Sequence, residues 1–282
     1  MKKSILMLAM ILATASASAQ FYVSAAGGYS ISSAGVRFGT ETTASGVENT
    51  YGSYGEGLHT QLRGGYFFND TFGVEVGVGY LNGADQTSLL VDLPTQAQYI
   101  NIEARGKAYG ASASLVYKFT NNIYGRFGAL IKVGGKTESD GKINIALSQT
   151  EMLNVDYTQD YKGRLPLGFI GAVGYKYDLS DKVSLFAELE YMGISVTRDT
   201  SEITEFSANV NGEARSIEQV KGIFANHPNT QYNPLAAVFN KNIEYVDELP
   251  FGANPAGEKQ LSQKVPYSSF GINIGATFYF GK

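Results

Sequence analysis

The sequence predicts an all-β fold: an eight-stranded antiparallel up-and-down transmembrane β-barrel with short periplasmic turns and long extracellular loops. Three observations predict it. Apolar residues recur at every second position in eight segments. The connections between those segments alternate between tight turns and long polar stretches. The chain also holds 33 Gly, 19 Tyr and 16 Phe but only 7 Pro, a composition suited to pleated strands with close backbone approaches.

The eight segments fall at residues 20–31, 58–68, 72–82, 107–119, 123–134, 164–177, 183–196 and 266–280. In the third, Phe72, Val74, Val76, Val78 and Tyr80 share one face, against Gly73, Glu75, Gly77 and Gly79 on the other. The seventh sets Val183, Leu185, Ala187, Leu189 and Tyr191 against Ser184, Glu188 and Glu190. One face is apolar throughout, and the other is small or charged. Such a chain crosses a bilayer with ordinary mean hydropathy, here −0.11, because only alternate residues meet lipid.

Asn69-Asp70-Thr71, Thr120-Asn121-Asn122 and Asp178-Leu179-Ser180-Asp181-Lys182 read as tight turns, since Asn and Asp satisfy their own backbone there. The connections after segments one, three, five and seven are long and polar. The last of them, residues 197–265, forms a long extracellular loop 4 in which Ile217, Val220 and Phe224 stand at helical spacing. A disordered loop and a surface ligand-binding or adhesive loop are both open readings of it. Tyr66-Phe67-Phe68, Tyr117, Phe119, Tyr175, Tyr177 and Phe278-Tyr279-Phe280 cluster at segment ends, where an aromatic girdle marks the lipid boundary.

Residues 1–19 read as a signal peptide: Lys2 and Lys3, an apolar run from Ile5 to Leu12, then small residues to Ala19. That run is too short to span a bilayer, which takes about 20 apolar residues. Residues 20–282 form the barrel domain. The net charge of −4 becomes more negative once the two lysines leave, and nothing in it suggests a nucleic-acid partner, which would want a basic patch. The absence of cysteine excludes disulfides and thiolate chemistry.

The small-residue and charged face carries Arg63, Glu75, Lys118, Arg126, Lys132, Arg164, Lys176, Glu188 and Glu190. In so narrow a barrel they are expected to form a lumen charge network, either a static ion-pair plug or the lining of a small pore. No metal-ligand cluster is legible, and no cofactor is expected. His59 and His227 are the sole candidate neutral-pH bases. His59 has no Ser or Asp at a telling spacing and His227 sits in a loop, Asn226-His227-Pro228, so each is read as structural or solvated and the chain as non-enzymatic.

The eight alternating segments, the turn and loop asymmetry and the last segment, Ser269-Phe270-Gly271-Ile272-Asn273-Ile274-Gly275-Ala276-Thr277-Phe278-Tyr279-Phe280, resemble the outer membrane protein A-like family of small barrels. That resemblance implies residence in the cell outer membrane, with outer-membrane lipid and lipopolysaccharide as surroundings. It also implies that Gly275, Phe278, Tyr279 and Phe280 form the barrel-assembly signal read by the assembly machinery, although Gly281 and Lys282 follow the final aromatic. The two-domain members carry a periplasmic peptidoglycan-binding domain after the barrel, and the expectation here is the single-domain type, a monomer. The expected role is structural or one of surface interaction, with an extracellular ligand at the loops. A small-solute porin, an outer-membrane enzyme acting on lipid or peptide, and a soluble lipocalin-like barrel with its apolar face inward are the alternatives.

Overall fold

The computed structural model describes residues 20–280 apart from 34, 253, 255 and 256. The expected signal peptide, residues 1–19, lies outside the described residues. From the amino-terminal side come β1 (Gln20–Ser32), β2 (Arg37–Thr43), β3 (Gly46–Tyr51), β4 (Gly57–Phe67), β5 (Phe72–Gly83) and β6 (Gln86–Leu93). Next are β7 (Gln98–Lys118), β8 (Ile123–Ala146), β9 (Met152–Gly163), β10 (Leu167–Asp178), β11 (Val183–Gly193), β12 (Ser195–Val210) and β13 (Glu213–Ala214). Helix α1 (Ile217–Ala225) and a 3-10 helix (Thr230–Ala237) precede β14 (Asn242–Val246), β15 (Lys259–Leu261), β16 (Lys264–Pro266) and β17 (Ser269–Phe280).

Antiparallel pairing runs from β1 to β4, β5, β7, β8, β10, β11 and β17, and β17 pairs back with β1. Phe21 illustrates the closure, standing opposite Phe280 on one side and Tyr66 on the other. The circuit therefore leaves no row of unpaired backbone groups along its wall. Its side chains are arranged opposite to a soluble protein's. On β11, Glu188 and Glu190 are 2% and 1% exposed, whereas Leu189 between them is 51% exposed. Burial alternates in the same sense along β1 and β17.

Several expected boundaries move. The fourth segment begins at Gln98 rather than 107, and the fifth continues past Gly134 to Ala146. Gly135 does not end the strand. With φ +93° it sits beside a register shift opposite Tyr109 and Gly110, where the strand bends out of the circuit. The sixth segment begins at Leu167, which leaves Arg164 outside it. The seventh divides between β11 and β12, and the eighth begins at Ser269.

The stretches expected as long loops carry further sheet. Beyond the circuit β7, β8, β9 and β12 continue as an antiparallel ladder, with β14 added at β12 and with β6, β2 and β3 beside β7. One face of this ladder holds a hydrophobic core of its own: Ile100, Ile143, Ile145, Leu153, Val155 and Ile203 pack against Val220 and Phe224 of α1 and Phe239. The helix forms where Ile217, Val220 and Phe224 are spaced for it, and a capping box of Ser216 and Gln219 satisfies its first amides. Phe224 and Phe239 stack with centroids 5.3 Å apart.

Candidate functional site: the lumen

Five charged side chains from four strands of the circuit meet inside it. Arg63 on β4 donates from Nη1 to both carboxylate oxygens of Glu188 on β11, each at 2.9 Å. Arg126 on β8 donates to Glu190 and lies 3.4 Å from Glu188. Glu75 on β5 faces both guanidinium groups, 3.7 Å from Arg63 and 3.9 Å from Arg126. All five are buried. Inward placement follows from the strand period, because each is the polar member of an alternating pair.

Three carboxylates meet two guanidinium groups, and neutral donors complete the balance. Tyr22 donates to Glu75 at 3.0 Å, Tyr124 to Glu188 at 2.6 Å, and Gln61 to Glu190 at 2.8 Å. Paired in this way the charges are tolerated, since leaving one unpaired in such a site costs several kcal/mol. The Arg63 guanidinium also covers the Phe186 ring at 4.8 Å. A cavity of about 90 Å³ lies on one side of the cluster and one of about 30 Å³ on the other, and Arg63 lines both. The cluster thus partitions the lumen.

The other expected network members lie elsewhere. Lys118 places its ammonium 3.7 Å from the Phe67 ring centroid, and Lys176 donates to Asp178 at 2.9 Å; both line the smaller cavity. Lys132 lines the larger one and donates to the Gly135 carbonyl at 3.3 Å. Arg164 corrects the sequence reading. Lying between β9 and β10, it donates to Asp247 at 2.7 Å and to Asp199 at 3.3 Å, in the sheet beyond the circuit.

His59 is buried in the lumen. Its Nδ1 lies 3.2 Å from Ser30 Oγ, while Nε2 meets Asn273 Oδ1 and stands 3.9 Å from Glu190. The sequence hid this neighbourhood, because Ser30 and Asn273 come from β1 and β17, far away in the chain but across the ladder from one another's strands. A hydroxyl, an imidazole and an amide in series match the donor order of a nucleophilic relay. Ser30, however, is 1% exposed and does not line either lumen cavity. His227 accepts from the Asn229 amide at 3.1 Å and packs edge-on against Tyr232, holding a turn. Among the described residues no group of three or more His, Cys, Asp or Glu side chains is placed to hold a metal.

The four residues expected to form the assembly signal share β17. Phe278 and Phe280 point outward and meet edge-on at 5.0 Å, whereas Tyr279 is buried, 3.4 Å from Ser184 Oγ. At Gly275 any Cβ would collide with the Ala25 carbonyl oxygen and the Phe186 ring, so only glycine fits there.

Residues 4–213 match the family model described as outer membrane protein beta-barrel domain. The chain belongs to that family. As an outer membrane protein beta-barrel it resides in the cell outer membrane, which sets aside the soluble lipocalin-like alternative and accounts for the outward apolar face. No curated protein matches the chain. Among solved structures, a major outer membrane protein of Thermus thermophilus is 15% identical at a TM-score of 0.39, over 93% of this chain and 99% of that one. Neisserial surface protein A is 14% identical at a TM-score of 0.33, over 92% and 97%. The attachment invasion locus protein Ail of Yersinia pestis is 10% identical at 0.32, over 93% and 97%.

Beyond the circuit, a second ion cluster surrounds Glu138 on β8. Arg105 lies 2.6 Å from it, Lys136 2.8 Å and Lys107 3.0 Å, and Arg105 also pairs with Asp140 at 2.6 Å. Desolvation works against the charged carboxylate, but hydrogen bonds from Lys136, Lys107 and Arg105 outweigh it and hold the Glu138 carboxyl down at about 2.

Proposed function

We propose that the eight strands of the closed circuit cross the outer membrane as an up-and-down barrel, with short turns in the periplasm and long connections outside. The chain then serves as a non-enzymatic surface-interaction protein whose lumen is plugged. One observation carries this reading: the segments beyond the circuit build a folded platform with its own helix-covered core. A barrel strand needs about 9–11 residues to cross, and β8 has 24. More than half of it is therefore available to hold that platform clear of the bilayer. A large ordered surface on a rigid scaffold is the usual setting for recognition.

On this reading the outward Leu, Val and Phe band faces lipid, with lipopolysaccharide in the outer leaflet. The assembly machinery reads β17. The protein is read as a monomer, in keeping with a closed wall that offers no strand edge for a second copy to extend.

The chain's lack of cysteine makes the test direct. Glu218 on α1 and Asn121 in a short turn are both exposed, so Glu218→Cys and Asn121→Cys each give one thiol. On intact cells a membrane-impermeant maleimide is expected to label Glu218→Cys and to spare Asn121→Cys. The reverse pattern inverts the orientation and removes the surface role. Planar-bilayer recording addresses the porin alternative, which the partitioned lumen disfavours: the purified protein is expected to give no conductance above background, and steady channel currents overturn the plug. Against the enzyme alternative, His59→Ala is expected to leave any activity on lipid or peptide unchanged.

A further inference from the structure

The larger lumen cavity has a character the ion cluster below it lacks. Its volume is about 90 Å³, and Leu81, Leu130, Ile170 and Ile194 line it. The room exists because Gly77, Gly79 and Gly110 present bare backbone on the opposite wall. A Cβ at Gly110 would find the nearest atoms 3.5 Å and 3.6 Å away, ordinary contact distances. Most of its lining surface is apolar, with His59, Gln61 and Arg63 at its polar edge, so an apolar chain that enters sheds water against Leu130, Ile170 and Ile194.

Two cations line this space: Arg63, already paired with Glu188, and Lys132. The Lys132 ammonium has the Gly135 carbonyl at 3.3 Å and the Tyr267 ring at 5.8 Å from its centroid, and no carboxylate pairs with it among the described residues. Its neighbours along the strand are served differently: Lys136 reaches Glu138 and Asp160. The nearby lumen carboxylates are already engaged, Glu188 by Arg63 and Tyr124, and Glu190 by Arg126 and Gln61. An ammonium carries three donors and is strongly hydrated in water. A carbonyl and a ring meet only part of that requirement, and because the side chain is partly exposed, water completes it until an anion takes the water's place.

We infer that this cavity is a binding site for a small monocarboxylate with a short apolar chain, its carboxylate on Lys132 and its chain among Leu130, Ile170 and Ile194. The volume sets the class. At about 90 Å³ it is smaller than the roughly 150 Å³ cavity that holds six-carbon benzene, so only a chain of about three carbons enters while the carboxylate stays at Lys132, and butyrate is the probe. The site is independent of the surface role, because the ligand stops at the cluster containing Arg63 and does not pass it.

The test uses the refolded protein in nanodiscs of zwitterionic lipid, with isoleucine and leucine methyl groups labelled for NMR. Butyrate is expected to shift the Ile170 and Ile194 methyl signals saturably, and n-butanol to need about tenfold more ligand for the same shift, the margin of a charge-assisted hydrogen bond. In Lys132→Met that preference is expected to vanish, and in Lys132→Arg to persist. Gly110→Val, which fills the cavity, is expected to abolish the shifts for both probes. Equal response to butyrate and butanol in the unaltered protein overturns the proposal. So does an absence of saturation, or undiminished butyrate affinity in Lys132→Met with its methyl spectrum otherwise intact.

Discussion

Arg63 and Glu188 face each other across the lumen at 2.9 Å although their strands, β4 and β11, are separated in the circuit by β1 and β17. The pair joins two sides of the wall through the interior. Glu188 also accepts from Tyr124 on β8, which makes it the point where the inner contacts converge.

Glu188→Gln is expected to destabilise the folded barrel by about 3–5 kcal/mol, since the variant leaves Arg63 and Arg126 short of a counter-charge in a buried site. Arg63→Met combined with Glu188→Met removes both members of the pair and is expected to cost less than the two single changes summed. Urea unfolding of each variant in lipid, compared with the unaltered protein, reads these values. Strict additivity would show that the two side chains do not interact.

Phe224→Ala is expected to cost about 3–5 kcal/mol, the range for emptying a buried aromatic site, but in the platform alone. Its partners Val220 and Phe239 belong to the core beyond the circuit. Limited proteolysis is therefore expected to cut residues 197–265 faster while the barrel resists. Simultaneous loss of barrel and platform would show that the two fold as one unit.

The ion cluster around Glu138 gives the platform a defined acid limit. The Glu138 carboxyl is held at about 2, below its ordinary value of 4.5. A depressed value contributes stability that is fully present above about 4.5 and is lost as the pH falls towards 2. Platform stability, followed by proteolysis resistance or thermal melting, is expected to decline across that window. Glu138→Gln is expected to be less stable at neutral pH and flatter below 4.5. An identical acid limb in the variant would assign the loss to other carboxylates.

Phe280→Ser alters an outward ring on the last strand and removes no lumen contact. If Gly275, Phe278, Tyr279 and Phe280 act as the assembly signal, this variant is expected to reach the outer membrane of cells in reduced amount while refolding normally in detergent. Equal loss in both settings would make Phe280 a packing residue instead.

The strands of the circuit were legible because lipid on one side and a filled lumen on the other impose strict alternation, as in Leu185, Glu188, Leu189 and Glu190. The platform was only partly legible. Outside the circuit both faces of a strand meet protein or water, so Ile143 and Ile145 carry no sign of which layer they join. Gly134 and Gly135 punctuate β8 like a terminus although they form a bend. The helix alone announced itself, through Ile217, Val220 and Phe224. The charges Arg63, Glu75, Arg126, Glu188 and Glu190 were identified by type and phase. Their grouping, and the contact of His59 with Ser30 and Asn273, depended on register between distant strands, which a single sequence leaves open. Arg164 was misplaced because its strand begins three residues later than the pattern suggested.

Strands β7 and β8 continue from the short-turn rim into the platform, paired with each other from Lys118 and Tyr124 to Gln98 and Ile145 with one register shift at Tyr109 and Gly110. With the platform outside the cell, as proposed, a force applied to it would load many hydrogen bonds side by side, in shear, instead of peeling them one at a time. Most surface loops behave as flexible tethers. In the proposed orientation this one would act as a mast, passing tension to the barrel wall through β7 and β8.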